Sequence, residues 1–261
     1  MDSKGTINHI VDWLKDYSQK AKTNGFVIGI SGGIDSAVSS TLAALTGLPT
    51  ICVELPIHQS KEQVNRALDH ISWLQKNHSQ VRVQKVDLTS TFDGLVAALP
   101  AGQESARELS LVNMRARLRM TTLYYFATLH SSLVLGTGNK VEDFGIGFFT
   151  KYGDGGVDLS PIADLNKTEV YALAKELGII QSIQNAPPTD GLWGDDRTDE
   201  DQIGATYPEL EWAMEFTGKK TTLSDRQKIV LEIYDRLNRA NRHKMIPIPI
   251  CAIPDLLKST E

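Results

Sequence analysis

Residues 26–36 read Phe-Val-Ile-Gly-Ile-Ser-Gly-Gly-Ile-Asp-Ser, and no other stretch limits the possible folds as tightly. Residues 26–30 form a β-branched, apolar run of the kind that makes a buried parallel strand. Gly32 and Gly33 follow at once, and a helical pattern opens directly after Asp35. A strand, a tight glycine turn and a helix start gather backbone N–H groups and the positive end of a helix dipole at one point, which suits phosphate. The lysine of the G-x-x-x-x-G-K-[ST] signature is missing, so this is not the usual NTPase loop.

The same alternation continues downstream. Candidate strands at 26–30, 50–55, 81–86 and 132–135 are separated by helical stretches near 35–46, 61–76 and 104–130. This predicts an α/β fold: a doubly wound, mainly parallel sheet with helices on both faces and ligands at the carboxyl ends of the strands. The second half reads as helical. Asn166 with Glu169 forms a capping box before Val170, Leu173, Ala174 and Leu177, with Gly178 closing the helix. Ser224 with Gln227 starts a longer helix that runs to about Lys244. Between them, residues 185–201 hold two prolines, two glycines and an acidic cluster, the composition of a mobile loop. No repeat or linker interrupts the chain, so one domain over residues 1–261 is expected.

With 27 basic and 32 acidic residues the net charge is −5, which argues against a broad nucleic-acid-binding face. The two cysteines, Cys52 and Cys251, lie far apart in apolar settings and suit a reducing cytoplasm. The six histidines form no H-x-x-x-H pair, so zinc has little support. No export signal or membrane span is visible, and no membrane partner is expected. Ile7, Ile10, Val11 and Leu14 form a helical stripe suited to a core or a dimer face. Residues 245–253 are apolar but broken by Pro247 and Pro249. They are expected to pack on the domain as an extended tail.

Gly136-Thr137-Gly138 follows a candidate strand and should turn at the same sheet edge as the first loop. Val141 breaks the dinucleotide fingerprint at its last glycine. Glu142, together with Asp35, offers the oxygen ligands that suit Mg²⁺ on nucleotide phosphates. Residues 147–161 contain Asp154-Gly155-Gly156, a turn signal. Phe148, Phe149 and Tyr152 around Lys151 are more aromatic surface than a bare turn needs.

Ser31-Gly-Gly-x-Asp-Ser36 resembles the pyrophosphate loop of the ATP pyrophosphatases. Combined with Gly136-Thr-Gly, Phe148-Phe-Thr-Lys-Tyr-Gly-Asp-Gly-Gly156 and Leu165-Asn-Lys167, it resembles the NAD synthetases over most of the chain. The resemblance implies an adenine nucleotide alpha hydrolase-like, Rossmann-like fold and a two-step ligase reaction. The carboxylate of nicotinic acid adenine dinucleotide (deamido-NAD) would attack the α-phosphorus of ATP, and ammonia would then displace AMP to leave the amide of NAD. Mg²⁺ is the implied cofactor. ATP contacts would fall on Gly29, Ile30, Ser31, Gly32, Gly33, Ile34, Asp35, Ser36, Thr137, Lys167 and Thr189. The metal would sit on Asp35 and Glu142. Deamido-NAD would be held by Arg117, Lys151, Asp158, His243 and Lys244, with Arg115 or Arg119 able to share the role of Arg117. Asp35, Lys151 and Lys167 carry the chemistry in this reading.

The spacing from Glu142 to Lys151 is one residue longer than the family pattern, so Asp143 competes with Glu142 as the second ligand. Lys167 falls in the first turn of a helix, an end that disfavours cations, and this points to a functional role. His243 and Lys244 also suit a helix C-terminus by charge alone. Glutamine-using members carry an added amidase domain for which this chain has no room, so ammonia is the expected nitrogen donor and a homodimer the expected assembly. A tRNA-modifying ATP pyrophosphatase is the nearest rival, but it would want a basic groove and reactive cysteines. A nucleotide-sensing module is a second, and it would have no need of Asp35, Lys151 and Lys167 together.

Overall fold

The computed structural model describes residues 1–100, 102–189 and 198–258. Four parallel strands form one sheet: β1 (Phe26–Gly29), β2 (Thr50–Glu54), β3 (Val81–Lys85) and the short β4 (Leu133–Val134), in the order β3-β2-β1-β4. The order reverses between β1 and β4, and in an open α/β sheet that switch point opens the crevice where ligands bind. The expected fourth strand is thus shorter than predicted. Leu135 makes only an isolated parallel bridge to Leu159.

Successive residues of β1 and β2 face opposite layers, as the strand period requires. Phe26, Ile28 and Cys52 pack with α1 (Ser3–Ala21), α2 (Ile34–Leu45), α3 (Lys61–Asn77) and α6 (Lys167–Glu176). Val27, Ile51 and Val53 pack on the other face with α4 (Thr89–Ala98) and α5 (Glu104–His130). Helices therefore cover both faces, and the Ile7, Ile10, Val11 and Leu14 stripe of α1 belongs to the core. A third apolar cluster joins α8 (Asp199–Ile203), α9 (Tyr207–Glu215), α10 (Asp225–Met245) and a π-helical turn at Val141–Ile146. The four-residue α7 (Gln181–Gln184) precedes α8.

Both predicted capping boxes form, Asn166/Glu169 on α6 and Ser224/Gln227 on α10. Of the segment 185–201, residues 190–197 lie outside the described residues, and Asp199–Asp201 form the first turn of α8. The apolar tail does not pack as expected. Beyond Met245 the chain leaves α10 through Pro247 and Pro249, and Ile248 and Ile250 are 66% and 89% exposed. The two prolines hold the tail extended, and the domain surface beneath offers it no groove that buries those side chains.

Among the described residues, no helix is long and apolar enough to cross a membrane. His70 on α3 is fully buried, stacks on Trp73 and places Nε2 2.9 Å from Ser40 Oγ on α2. Burial lowers its pKa to about 4, against about 6.5 unfolded. The unfolded chain therefore binds the extra proton first, and the stability from neutral His70 is lost as pH falls from 6.5 toward 4. Between pH 7 and 5 the wild type should lose about 2 kcal/mol more unfolding free energy than His70→Phe. Parallel curves in denaturant titrations would remove His70 from this role.

Candidate active site

The β1–α2 connection is shaped by packing as well as by turn geometry. Gly32 has φ +82°, and a Cβ there would lie 2.8 Å from the Gln63 carbonyl oxygen on α3, so only glycine fits this close approach. Gly33 is the N-cap of α2 and has no side chain to satisfy the first-turn amides, which leaves them for an anion. The serines brace the loop. Ser31 and Ser36 hydroxyls are 3.1 Å apart, Ser31 Oγ accepts from the Gly33 N–H at 3.2 Å, and Ser36 Oγ donates to the Gly33 carbonyl at 3.0 Å.

Asp35, on the first turn of α2, points at the other half of the site. Lys167, the first residue of α6, donates to Asp35 Oδ2 at 2.5 Å and to Glu142 Oε1 at 3.0 Å, and its side chain is 3% exposed. Asn139 ties the two carboxylates together. Its Nδ2 donates to Asp35 Oδ1 at 3.2 Å, while its Oδ1 accepts the Val141 and Glu142 N–H groups, each at 3.1 Å. Tyr207 adds a hydroxyl donor to Glu142 Oε1 at 2.5 Å.

Two carboxylates face one ammonium, so one negative charge is left over in a buried place. Burial pushes the Asp35 carboxyl up against the pull of Lys167. At Glu142 burial is outweighed by the Lys167 ammonium and by hydrogen bonds from Tyr207, Lys167 and Asn139, which hold it below the usual range. For Lys167 itself, burial would favour the neutral amine, but both carboxylates outweigh it and keep the ammonium charged.

Glu142 sits in the π turn at Val141–Ile146, a form that holds one residue more than an α-turn and recurs at functional sites. Its last carbonyls are satisfied from α10, where Asn238 donates to Gly145 at 2.7 Å and Asn241 to Ile146 at 2.9 Å. The turn sends Glu142 to Lys167 and sends Asp143 elsewhere. A Cβ at Gly138 would collide with the Asp143 carboxylate, and burial, then the charges of Glu142 and Asp154, push that carboxyl up to about 8. Geometry thus favours Glu142 over Asp143 as the partner of Asp35.

Asp35, Glu142, Asp143, Asp154 and Lys167 face a cleft of about 740 Å³. Gly29, Ile30, Ser31, Gly33, Ile34, Asp35 and Ser36 line it, with Thr137, Glu142, Lys167 and Thr189. Arg117, Lys151, His243 and Lys244 line it too and are held together: Lys151 Nζ donates to the His243 carbonyl at 3.0 Å, and Arg117 donates to the Lys151 carbonyl at 3.3 Å. The surplus aromatic rings have a use. Lys244 Nζ sits 5.0 Å over the Phe149 ring and Lys151 Nζ 5.5 Å over Tyr152, within cation–π range.

Three candidates stand apart: Gly32 is not in the lining and packs against α3 instead. Asp158 is not in the lining; its oxygens accept from the Tyr124 hydroxyl at 2.9 Å and the Val134 N–H at 2.8 Å. Arg115 packs over the Phe92 ring instead. Arg119 does line the cleft, but at the β2 end, donating to the Leu55 carbonyl and Gln59. Sequence reasoning missed Asn139, Asp154 and Tyr207. The first two sit inside segments already singled out, whereas Tyr207 follows α8 with no local signal of its own.

The sequence profile of the NAD synthase family matches residues 6–246. The chain belongs to this family. A relative from Alkaliphilus metalliredigens named NH(3)-dependent NAD(+) synthetase is 37% identical, over 94% of this chain and 96% of its own. One of the same name from Syntrophomonas wolfei is 33% identical, over 99% and 100%. Among solved structures, an NMN synthetase from Francisella tularensis has a TM-score of 0.83 at 32% identity, covering 98% of this chain and 99% of its own. An NH3-dependent NAD synthetase from Campylobacter jejuni gives 0.76 at 27% identity, covering 97% and 100%. The tRNA-modifying alternative finds no favour in these likenesses.

Removing the one cation of this NAD synthase cluster should expose its imbalance. Lys167→Met should lower unfolding free energy at pH 7.5 by about 3 kcal/mol, because two buried carboxylates lose their counter-charge. The variant's carboxyls would then titrate above their unfolded values, so the deficit should shrink as pH falls through that raised range. A loss independent of pH would mean that packing, not charge, explains the effect.

Proposed function

We propose that the chain is an ammonia-dependent NAD synthetase that converts ATP, deamido-NAD and ammonia to AMP, diphosphate and NAD. What carries this reading is a single cleft, in a chain of this family, lined both by the glycine turn at the start of α2 and by four basic residues, Arg117, Lys151, His243 and Lys244. Ammonia as the direct donor is supported by relatives of that name that align over nearly their whole length. One catalytic domain over residues 1–261 is the matching domain reading.

The chemistry follows from the need to turn a carboxylate oxygen into a leaving group. The acceptor's carboxylate oxygen attacks the α-phosphorus, the bond to diphosphate breaks, and an adenylate forms. Ammonia then attacks the carbonyl carbon, the C–O bond to AMP breaks, and a proton leaves. Such reactions are promoted chiefly by positioning and charge neutralisation. The first-turn amides of α2 and the Ser36 hydroxyl would cradle phosphates, Lys167 would balance their charge, and Thr137 and Thr189 would border the nucleotide. Arg117, Lys151, His243 and Lys244 would hold the dinucleotide. Asp35 and Glu142 would bind Mg²⁺; both carboxylates converge on the Lys167 ammonium, and the hard oxygen pair with one uncompensated charge fits such an ion, which takes few protein ligands. When bound, Mg²⁺ supplies further neutralisation of phosphate charge.

A homodimer is supported by exposed apolar residues on α5 and on the tail, with Leu109 at 53%, Tyr125 at 62%, Leu129 at 60% and Ile250 at 89% exposure. Patches of this sort mark interaction surfaces. The buried free thiol of Cys52 and the exposed one of Cys251 suit the cytoplasm, where thiols stay reduced.

The Francisella tularensis structure named NMN synthetase favours a second reading, amidation of the mononucleotide by the same site. Incubation with ATP, Mg²⁺, ammonium and either deamido-NAD or nicotinic acid mononucleotide separates the two. The expected products are NAD, AMP and diphosphate. Turnover of the mononucleotide alone reassigns the acceptor, and ADP with phosphate, or no turnover of either, sinks the assignment. Lys151→Ala should raise the KM for the acceptor by about tenfold and leave that for ATP within about twofold. Unchanged acceptor constants would refute its role.

A further inference from the structure

Tyr207 opens α9 and is 3% exposed. Its hydroxyl lies 2.5 Å from Glu142 Oε1 and 3.3 Å from Asp199 Oδ2. A phenol has a single proton to donate, so the two carboxylates compete for it, and the shorter contact goes to Glu142. The ring does separate work: Lys167 Nζ sits 4.7 Å over it. Tyr207 is not among the residues that line the cleft, whereas Glu142 and Lys167 are, so it meets both from behind the lining.

Its own position is well held. The Tyr207 N–H donates to Glu200 Oε1 at 2.9 Å, a Thr206/Glu209 capping box starts α9, and Arg226 of α10 clamps Glu209 with two bonds of 2.7 and 2.6 Å. Asp199 is held in turn, since its N–H donates to the Pro188 carbonyl at 3.1 Å, beside Thr189.

We propose that Tyr207 is a positioning residue for the metal site: its hydroxyl, donated to Glu142, fixes the orientation of that carboxylate. This rests on the reading of Glu142 as the second Mg²⁺ ligand. Partners that hold a ligating carboxylate by hydrogen bonds typically matter 10–100-fold in metal affinity or activity. No substrate contact is assigned to Tyr207.

The manganese complex of α,β-methylene ATP, titrated into the full chain and followed by water-proton relaxation, reports the ternary complex without turnover. Tyr207→Phe keeps the ring over Lys167 and deletes only the hydroxyl. It should weaken the ternary complex by about tenfold or more, with the acceptor KM within about twofold of wild type and the melting temperature little changed. Glu142→Gln should weaken it at least as much. Tyr207→Phe binding within about twofold of wild type, while Glu142→Gln binds poorly, overturns the role of Tyr207 alone. Normal binding by both variants overturns the assignment of Glu142 as well.

Discussion

The Lys167 ammonium between Asp35 and Glu142 is the contact on which the site depends. Burying ions is expensive, and a buried pair survives only with good geometry and full hydrogen bonding. Here the geometry is supplied by three unrelated pieces of chain: the first turn of α2, the π turn and the first residue of α6. Asn139 bonds to both carboxylate-bearing segments and so locks their spacing. Among the described residues, Lys167 is the one cation paired with these two carboxylates. A site with a negative excess beside the start of α2 fits the proposed binding of a cation together with phosphate.

That dependence explains details that look incidental one at a time. A lysine at the start of α6 faces the positive end of a helix dipole, a placement tolerable only with two carboxylates waiting. The π turn aims Glu142 at Lys167, and Asn238 and Asn241 of α10 satisfy the Gly145 and Ile146 carbonyls at its end. The same helix ends in the basic pair His243 and Lys244. One helix therefore both braces the π turn that carries Glu142 and contributes His243 and Lys244 to the cleft lining.

Much of this was legible before any coordinates because it rests on local rules. The strand–glycine–helix start, the two capping boxes and the out-of-place lysine are each written within a few residues. Which of Glu142 and Asp143 meets Lys167 was not, since the two are adjacent in sequence and their directions depend on the π turn braced by α10. Tyr207 was invisible because its partner is 65 positions away and a buried tyrosine is ordinary in a helix. Asp158 was matched by motif alone, and in the fold its carboxylate holds Tyr124 and the β4 backbone. The tail was misjudged because apolar sequence signals burial without saying against what. Asp35 was assigned to ATP, the metal and the chemistry, and in the folded chain it has two protein partners as well.

The central claim is that this cluster activates a carboxylate by adenylation. Deamido-NAD labelled with ¹⁸O in its nicotinate carboxylate, turned over with ATP and ammonium, reads that step directly. Attack by the carboxylate oxygen on the α-phosphorus leaves that oxygen on the nucleotide when ammonia takes its place. The recovered AMP should carry one ¹⁸O per NAD formed. AMP without the label, or label found in the diphosphate, would contradict the account.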